Sequence, residues 1–210
     1  MPLYKNIQVN SQTNVKIWHI VESLDFLMSN TDLKEESRQR VQKMKSELHQ
    51  RAFLSVRLLL KAFGYSDSDL IYDEYGKPHL KNGLFISISH SYTYAAVVIS
   101  TSAVGIDIEK QRQKITAIAS KFIGYEAAYL NIYSEHYIKQ LTWIWCIKES
   151  LYKLYAKLGV SFKEQMLVLP IGADQESTTA WILDKNQRQR FEALVLEFNG
   201  FGFAITTPSK

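Results

Sequence analysis

Hydrophobic positions along the chain switch between two periods. Residues 15–21 (VKIWHIV) are apolar and β-branched and predict a strand. Downstream, Val41, Met44, Leu48, Ala52, Val56, Leu59, Leu60 and Phe63 recur at helical spacing. That pattern predicts one long helix, capped at Thr31 or Asp32, running to about Phe63 and ended by Gly64. Residues 70–72 then read as a short strand, Tyr75-Gly76-Lys77-Pro78 as a turn, and residues 84–89, 94–100 and 104–109 as three strands. Short polar turns join these three, which predicts an antiparallel meander. The same order returns more weakly: a helix over residues 138–158 stopped by Gly159, then strands at 166–169, 179–183, 193–198 and 202–206. Two helix-and-sheet halves, 1–102 and 103–210, make an α+β protein. No fixed-period repeat is visible.

Composition narrows the class. Hydrophobic residues at 46% supply a core, and 22% charged residues with twelve tyrosines exclude a disordered chain. Met1 to Ser11 holds no long apolar run or small-residue cleavage signal, and no stretch nears the roughly 20 apolar residues of a membrane span. The single cysteine, Cys146, leaves no intrachain disulfide and no thiolate metal cluster. A reduced, cytoplasmic setting is the expectation. The net charge of +4 favours an anionic partner, and seven Lys or Arg lie between Arg38 and Lys61 against one acid, Glu47.

Four segments carry candidate chemistry. In Gly105-Ile106-Asp107-Ile108-Glu109 the strand period sets Ile106 and Ile108 on one face and Asp107 and Glu109 on the other. Carboxylates two residues apart lie roughly 7 Å apart, so they suit either a solvated strand face or a hard divalent cation between them. In Trp145-Cys146-Ile147-Lys148-Glu149-Ser150-Leu151-Tyr152-Lys153, Glu149 and Lys153 share a helix face, while Lys148 sits within an apolar stripe. These charges are either a surface pair of small worth or partly buried groups that require partners. In Phe85-Ile86-Ser87-Ile88-Ser89-His90-Ser91, Ile86 and Ile88 face a core, Ser87 and Ser89 face away, and His90 lies where the strand ends. Such hydroxyls and an imidazole can hydrogen-bond a diphosphate, or form only a polar turn. Glu74-Tyr75-Gly76-Lys77-Pro78 is a rigid turn that can expose backbone to a base ring and a lysine to a phosphate. No Ser-His-Asp arrangement or nucleophile elbow is evident.

In chain order, Tyr-Gly-Lys-Pro, ISHS, GIDIE and WxxKExxxK together resemble the 4′-phosphopantetheinyl transferase superfamily, over Glu74 to Lys153. The likeness is to its longer, monomeric type, which includes the surfactin-synthetase activator. The resemblance implies two pseudo-symmetric halves, each an antiparallel sheet packed on a long helix, with the active site in the cleft between them. It implies transfer of the phosphopantetheine arm of coenzyme A to a serine of an apo acyl or peptidyl carrier protein, releasing adenosine 3′,5′-bisphosphate. Asp107, Glu109 and Glu149 would hold Mg²⁺ with the coenzyme A diphosphate, an oxygen-only set that this ion prefers. Lys148 and Lys153 match positions that contact the diphosphate or the pantetheine phosphate. Glu149 is also the candidate base, taking the serine proton directly or through water. Tyr75, Gly76, Lys77 and Pro78 match the adenine loop, and Ser89 and His90 the phosphate-contacting serine and histidine. Arg51 and Arg57 both resemble positive positions near the 3′-phosphate, and Glu126 matches an acidic position without an assigned role. Ser87 departs from the pattern, since many relatives carry asparagine there.

Two rival classes compete with this reading. A nucleic-acid-binding module would use the basic stretch, but no recognised motif accompanies it and the carboxylate pair would be unexplained. A catalytically lost, carrier-binding homologue is opposed by the presence of all three acidic residues. The expectation is therefore a cytoplasmic monomer with no nucleic-acid or membrane partner. Fatty-acid, polyketide and peptide-synthetase carriers, acidic as a class, all remain open as acceptors.

Overall fold

The computed structural model describes residues 3–172, 174–185 and 187–209. These divide into two units, Met1–Ser102 and Ala103–Lys210.

The first unit opens with a hairpin, β1 (Leu3–Asn10) and β2 (Thr13–His19), followed by three helices, α1 (Leu24–Ser29), α2 (Glu35–Lys43) and α3 (Glu47–Ala62). A small ribbon of β3 (Leu70–Tyr72) and β4 (Pro78–Leu80) comes next, then β5 (Phe85–Ser91) and β6 (Tyr94–Ser100). The main sheet is antiparallel, in the order β1-β2-β6-β5. Leu54, Val56, Leu59 and Leu60 of α3 pack with Trp18, Ala95, Val97, Ile99 and Ile86 of that sheet. Fully burying each such side chain contributes roughly 1.5–3 kcal/mol.

The second unit runs β7 (Gly105–Lys110), a 3₁₀ turn at Gln113–Ile118, α4 (Ala119–Phe122), a second 3₁₀ turn at Tyr125–Ala128 and α5 (Tyr137–Tyr155). Four strands follow: β8 (Met166–Val168), β9 (Ser177–Asp184), β10 (Gln187–Phe198) and β11 (Phe201–Pro208). Their sheet is antiparallel in the order β7-β11-β10-β9-β8. Leu141, Ile144, Ile147 and Leu151 of α5 form its core with Ala180, Ile182, Ala193, Val195 and Ala204. A two-residue turn, Asn199-Gly200, joins β10 to β11, and both residues have positive φ, as a tight hairpin turn of this hand requires. It sets Phe198 opposite Phe201, and on its other edge β11 pairs Gly202 with Glu109 and Ala204 with Asp107.

Several expectations from periodicity are corrected. The long helix is two: Met44 is extended, with ψ 125°, and the chain restarts at Ser46 and Glu47. Lys43 in the last turn of α2 and Glu47 in the first turn of α3 complement the two helix dipoles, so the break carries its own electrostatic reason. The three-strand meander does not form, because β7 leaves β5 and β6 and pairs with β11. β1, a polar and half-exposed strand, carries no apolar run to mark it in the sequence, and α1 has only six residues, too few for a helical period. α5 ends at Tyr155 rather than running to Leu158 before Gly159, and Ala156 caps it with a left-handed φ of 53° and its N–H bonded back to the Tyr152 carbonyl.

Candidate active site

Strand alternation puts Gly105, Asp107 and Glu109 on one face of β7. That face is directed at α5: a Cβ on Gly105 would stand 1.9 Å from the Ser150 carbonyl oxygen, and one on Gly202 would stand 3.0 Å from Thr142 Cγ2. The missing side chains let helix and sheet backbones approach closely beside the acids. Asp107 is only 4% exposed, so the acidic face is not the solvated outer surface that an edge strand permits.

From the helix, Cys146, Glu149 and Lys153 line the side that meets β7. Lys153 Nζ donates to Asp107 Oδ1 at 2.7 Å and to the Ile106 carbonyl at 3.1 Å. The Glu149 carboxyl is pushed up to about 7, first by burial and then by the Asp107 charge, with Lys153 opposing and Glu109 adding to the rise. Burial likewise holds the Cys146 thiol well above its ordinary value, with Asp107 and Glu109 the next causes. A neutral thiol thus packs beside the acids. Among the described residues no three His, Cys, Asp or Glu groups are drawn into a ready ligand cage. Three carboxylates repel, and here the Lys153 ammonium offsets part of that charge. Oxygen donors of this kind, with Asp107 and Glu109 close enough to raise the proton affinity of Glu149, fit a hard divalent cation.

Lys148 departs from its expected role. Its side chain is fully buried, and its Nζ donates to Glu126 Oε1 at 2.7 Å, the Phe122 carbonyl at 2.6 Å and the Phe162 carbonyl at 2.9 Å. An ammonium has three protons, and all three are spent. Lys148 is therefore no phosphate contact in this structure, and Glu126, left without a role by sequence, is its partner. Burial lowers the lysine's proton affinity and Glu126 opposes that shift. The apolar stripe around Lys148 was the sequence signal that a partner must exist; which acid supplied it was not readable.

In the first unit, the turn after β3 is organised by a side chain outside the Glu74–Pro78 motif. Asp73 accepts from the Tyr75 and Lys77 backbone N–H groups at 3.0 and 2.9 Å and meets His79 Nε2 at 3.0 Å. Gly76 takes φ +80°, which the turn requires. Tyr75 stands 70% exposed above this loop, while burial lowers the Lys77 proton affinity against the pull of Asp73. The Asp-x-x-Gly spacing at Asp73 and Gly76 is the signal that could have found it.

Ser89 and His90 both lie in β5, which runs to Ser91, so His90 is the strand's penultimate residue. Ser87, Ser89 and Ser91 are buried, while exposed His90 is on the opposite face with Ile86 and Ile88. The His90 ring is 6.3 Å from that of His49 on α3. The two arginines separate. Arg57 is buried, bonded through Nε to Asp67 Oδ1 at 3.0 Å and stacked on Phe53, so it is committed inside the unit. Arg51 donates to the Ile20 carbonyl at 3.1 Å and lies 4.0 Å from Glu47, with about a quarter of its side chain exposed.

Comparisons with known proteins agree on a family. A profile described as the 4′-phosphopantetheinyl transferase superfamily matches residues 103–205, and one described as the 4′-phosphopantetheinyl transferase N-terminal domain matches residues 36–100. The chain is 30% identical over 138 residues to the 4′-phosphopantetheinyl transferase gsp of Aneurinibacillus migulanus, covering 63% of this chain and 52% of that protein. It is 29% identical over 104 residues to a 4′-phosphopantetheinyl transferase of Bacillus subtilis, covering 46% of each. The chain thus spans about half the length of the curated relatives it matches.

Proposed function

Because the chain belongs to the 4′-phosphopantetheinyl transferase superfamily, we propose that it is itself such a transferase, moving the phosphopantetheine arm of coenzyme A to a serine of an apo carrier protein. The observation that carries this reading is the gathering of Asp107, Glu109, Glu149 and Lys153 on the facing sides of β7 and α5.

Asp107, Glu109 and Glu149 would hold Mg²⁺, which when bound neutralises charge at the attacked phosphorus and on the departing nucleotide. The chain's own groups do the rest. Lys153, about a third exposed at its side chain, offers an ammonium to a phosphate oxygen at the edge of the acidic cluster. The serine hydroxyl oxygen forms a bond to the pantetheine phosphorus as the bond to the nucleotide phosphate breaks. The hydroxyl proton passes to Glu149, directly or through water; the elevation of its carboxyl to about 7 belongs to the metal-free site, and a bound cation opposes it. Exposed Tyr75 and the loop through Pro78, pre-shaped by Asp73, are assigned to the adenine. Arg51 and His90 are assigned to phosphate, and the burial of Ser89 favours a lesser role for its hydroxyl. A monomeric, cytoplasmic enzyme acting on carrier proteins alone belongs to the same proposal.

The test incubates the protein with coenzyme A and Mg²⁺ against apo fatty-acid, polyketide and peptide-synthetase carriers, then weighs each carrier. Gain of the phosphopantetheine mass by at least one carrier supports the reading. Asp107→Asn and Glu149→Gln will each cut transfer at least about 100-fold while circular dichroism stays native. Unchanged mass in every carrier, with folded protein, sinks it.

A further inference from the structure

We propose that the buried pair of Lys148 and Glu126 is a rotational lock on α5, which positions Glu149 and Lys153 against Asp107 without touching substrate. The proposal rests on the transferase reading above, and deepens it.

Both side chains are completely buried. Besides the Lys148 ammonium, Glu126 Oε1 accepts from the Val168 N–H at 2.9 Å, and Oε2 accepts from the Gly124 N–H at 3.1 Å. With the two carbonyls that Lys148 also meets, the pair ties α5 to the Phe122–Glu126 segment, to Phe162 and to β8. Aromatic rings close around it: Trp145 packs edge-on to Phe122 with centroids 5.0 Å apart, and Tyr152 packs on Phe162 at 5.6 Å. A phosphate could reach Lys148 only by breaking these bonds.

A buried ion pair adds little net stability compared with apolar residues of the same volume, so stability alone does not account for it. Its place on the helix does. Lys148, Glu149 and Ser150 are consecutive, each turned about 100° from the last. Lys148 is bonded on one side of the helix, and the Ser150 carbonyl is pressed against Gly105 on another. Glu149, between two fixed points, has its rotation set. A carboxylate about 6 Å from the axis moves about 1 Å for a 10° turn, and a displacement of that size can cost about 100-fold in rate.

The experiment compares Lys148→Met, Glu126→Gln and the double variant Glu126→Gln/Lys148→Met, which leaves no unpaired buried charge and keeps the test alive should a single variant fail to fold. For each we would measure kcat, KM for coenzyme A, and, without substrate, the Mg²⁺ concentration giving half the maximal rise in melting temperature. A lock predicts kcat per folded enzyme down about 10–100-fold, KM for coenzyme A within about threefold, and the Mg²⁺ midpoint raised severalfold, with the double variant no worse than the singles. A raised KM in Lys148→Met with near-native Glu126→Gln would mean a direct phosphate contact and overturn it. Lowered melting temperature with native kcat and Mg²⁺ midpoint would mean a purely structural pair and overturn it equally. Failure of the wild-type protein to modify any carrier would instead strike the transferase reading, and is seen before any variant is made.

Discussion

The Gly105 backbone lies against the carbonyl of Ser150, so close that a methyl group on Gly105 would stand 1.9 Å from that oxygen. The strand carrying Asp107 and the helix carrying Glu149 are joined at a point where only hydrogen fits. Gly105→Ala must push the two apart, at a cost of about 1–3 kcal/mol for overpacking. Urea denaturation will show that loss, and transfer per folded enzyme will fall further than the loss of stability explains. Native activity in a folded Gly105→Ala protein would show that the close approach does not set the site.

The Glu149 carboxyl makes stability depend on pH in an unusual direction. Its folded-state value of about 7 stands above its ordinary 4.5, so the folded protein holds this proton more tightly than the unfolded chain. Its contribution is therefore full below about 4.5, declines as pH rises to about 7, and is flat above that. The difference in melting temperature between wild type and Glu149→Gln, measured in chelator, will isolate this slope. Millimolar Mg²⁺ will raise the melting temperature at pH 8 and leave it nearly unchanged at pH 4.5, where the carboxyl is protonated. A wild-type curve parallel to that of Glu149→Gln would remove the basis for an elevated proton affinity.

Arg57 and Arg51 should part company in kinetics as they do in space. Removing Arg57 strands Asp67 in the interior, so Arg57→Met will destabilise by about 3–5 kcal/mol with little change in KM for coenzyme A per folded enzyme. Arg51→Ala will weaken coenzyme A more than 3′-dephospho-coenzyme A. Equal losses for the two compounds would reject a 3′-phosphate role for Arg51.

Asp73 has no assigned contact with substrate, yet Asp73→Ala removes the acceptor that holds the Tyr75 and Lys77 backbones. KM for coenzyme A will rise several-fold with kcat nearly unchanged, because the loop must be ordered on binding. A larger effect on kcat than on KM would show that this loop acts in the chemical step.

Much of the architecture was legible from period and turn chemistry alone. The strand at 94–100 and the helix carrying Glu149 stand where hydrophobic spacing puts them, because apolar positions at period two or 3.6 bury one face of a regular element. The break between α2 and α3 was hidden because Met44 and Lys45 are good helix formers and neither Gly nor Pro marks the stop. The meander failed for a different reason: short turns bring neighbours together by default, but only the packed faces decide whether β7 pairs with β6 or with β11.

The same division runs through the charged residues. Sequence alone determined the acidic motif, the helix that follows it and the family they resemble, because these are matters of residue type, order and local period. It set Lys148 in an apolar stripe without naming its partner, and it could not tell Arg57 from Arg51. Only the tertiary structure decided that Glu126 consumes Lys148 and Asp67 consumes Arg57. The reason is physical: the fate of a charge depends on its burial and on which opposite charge the folded backbone brings within about 3 Å, and neither quantity is local in the chain.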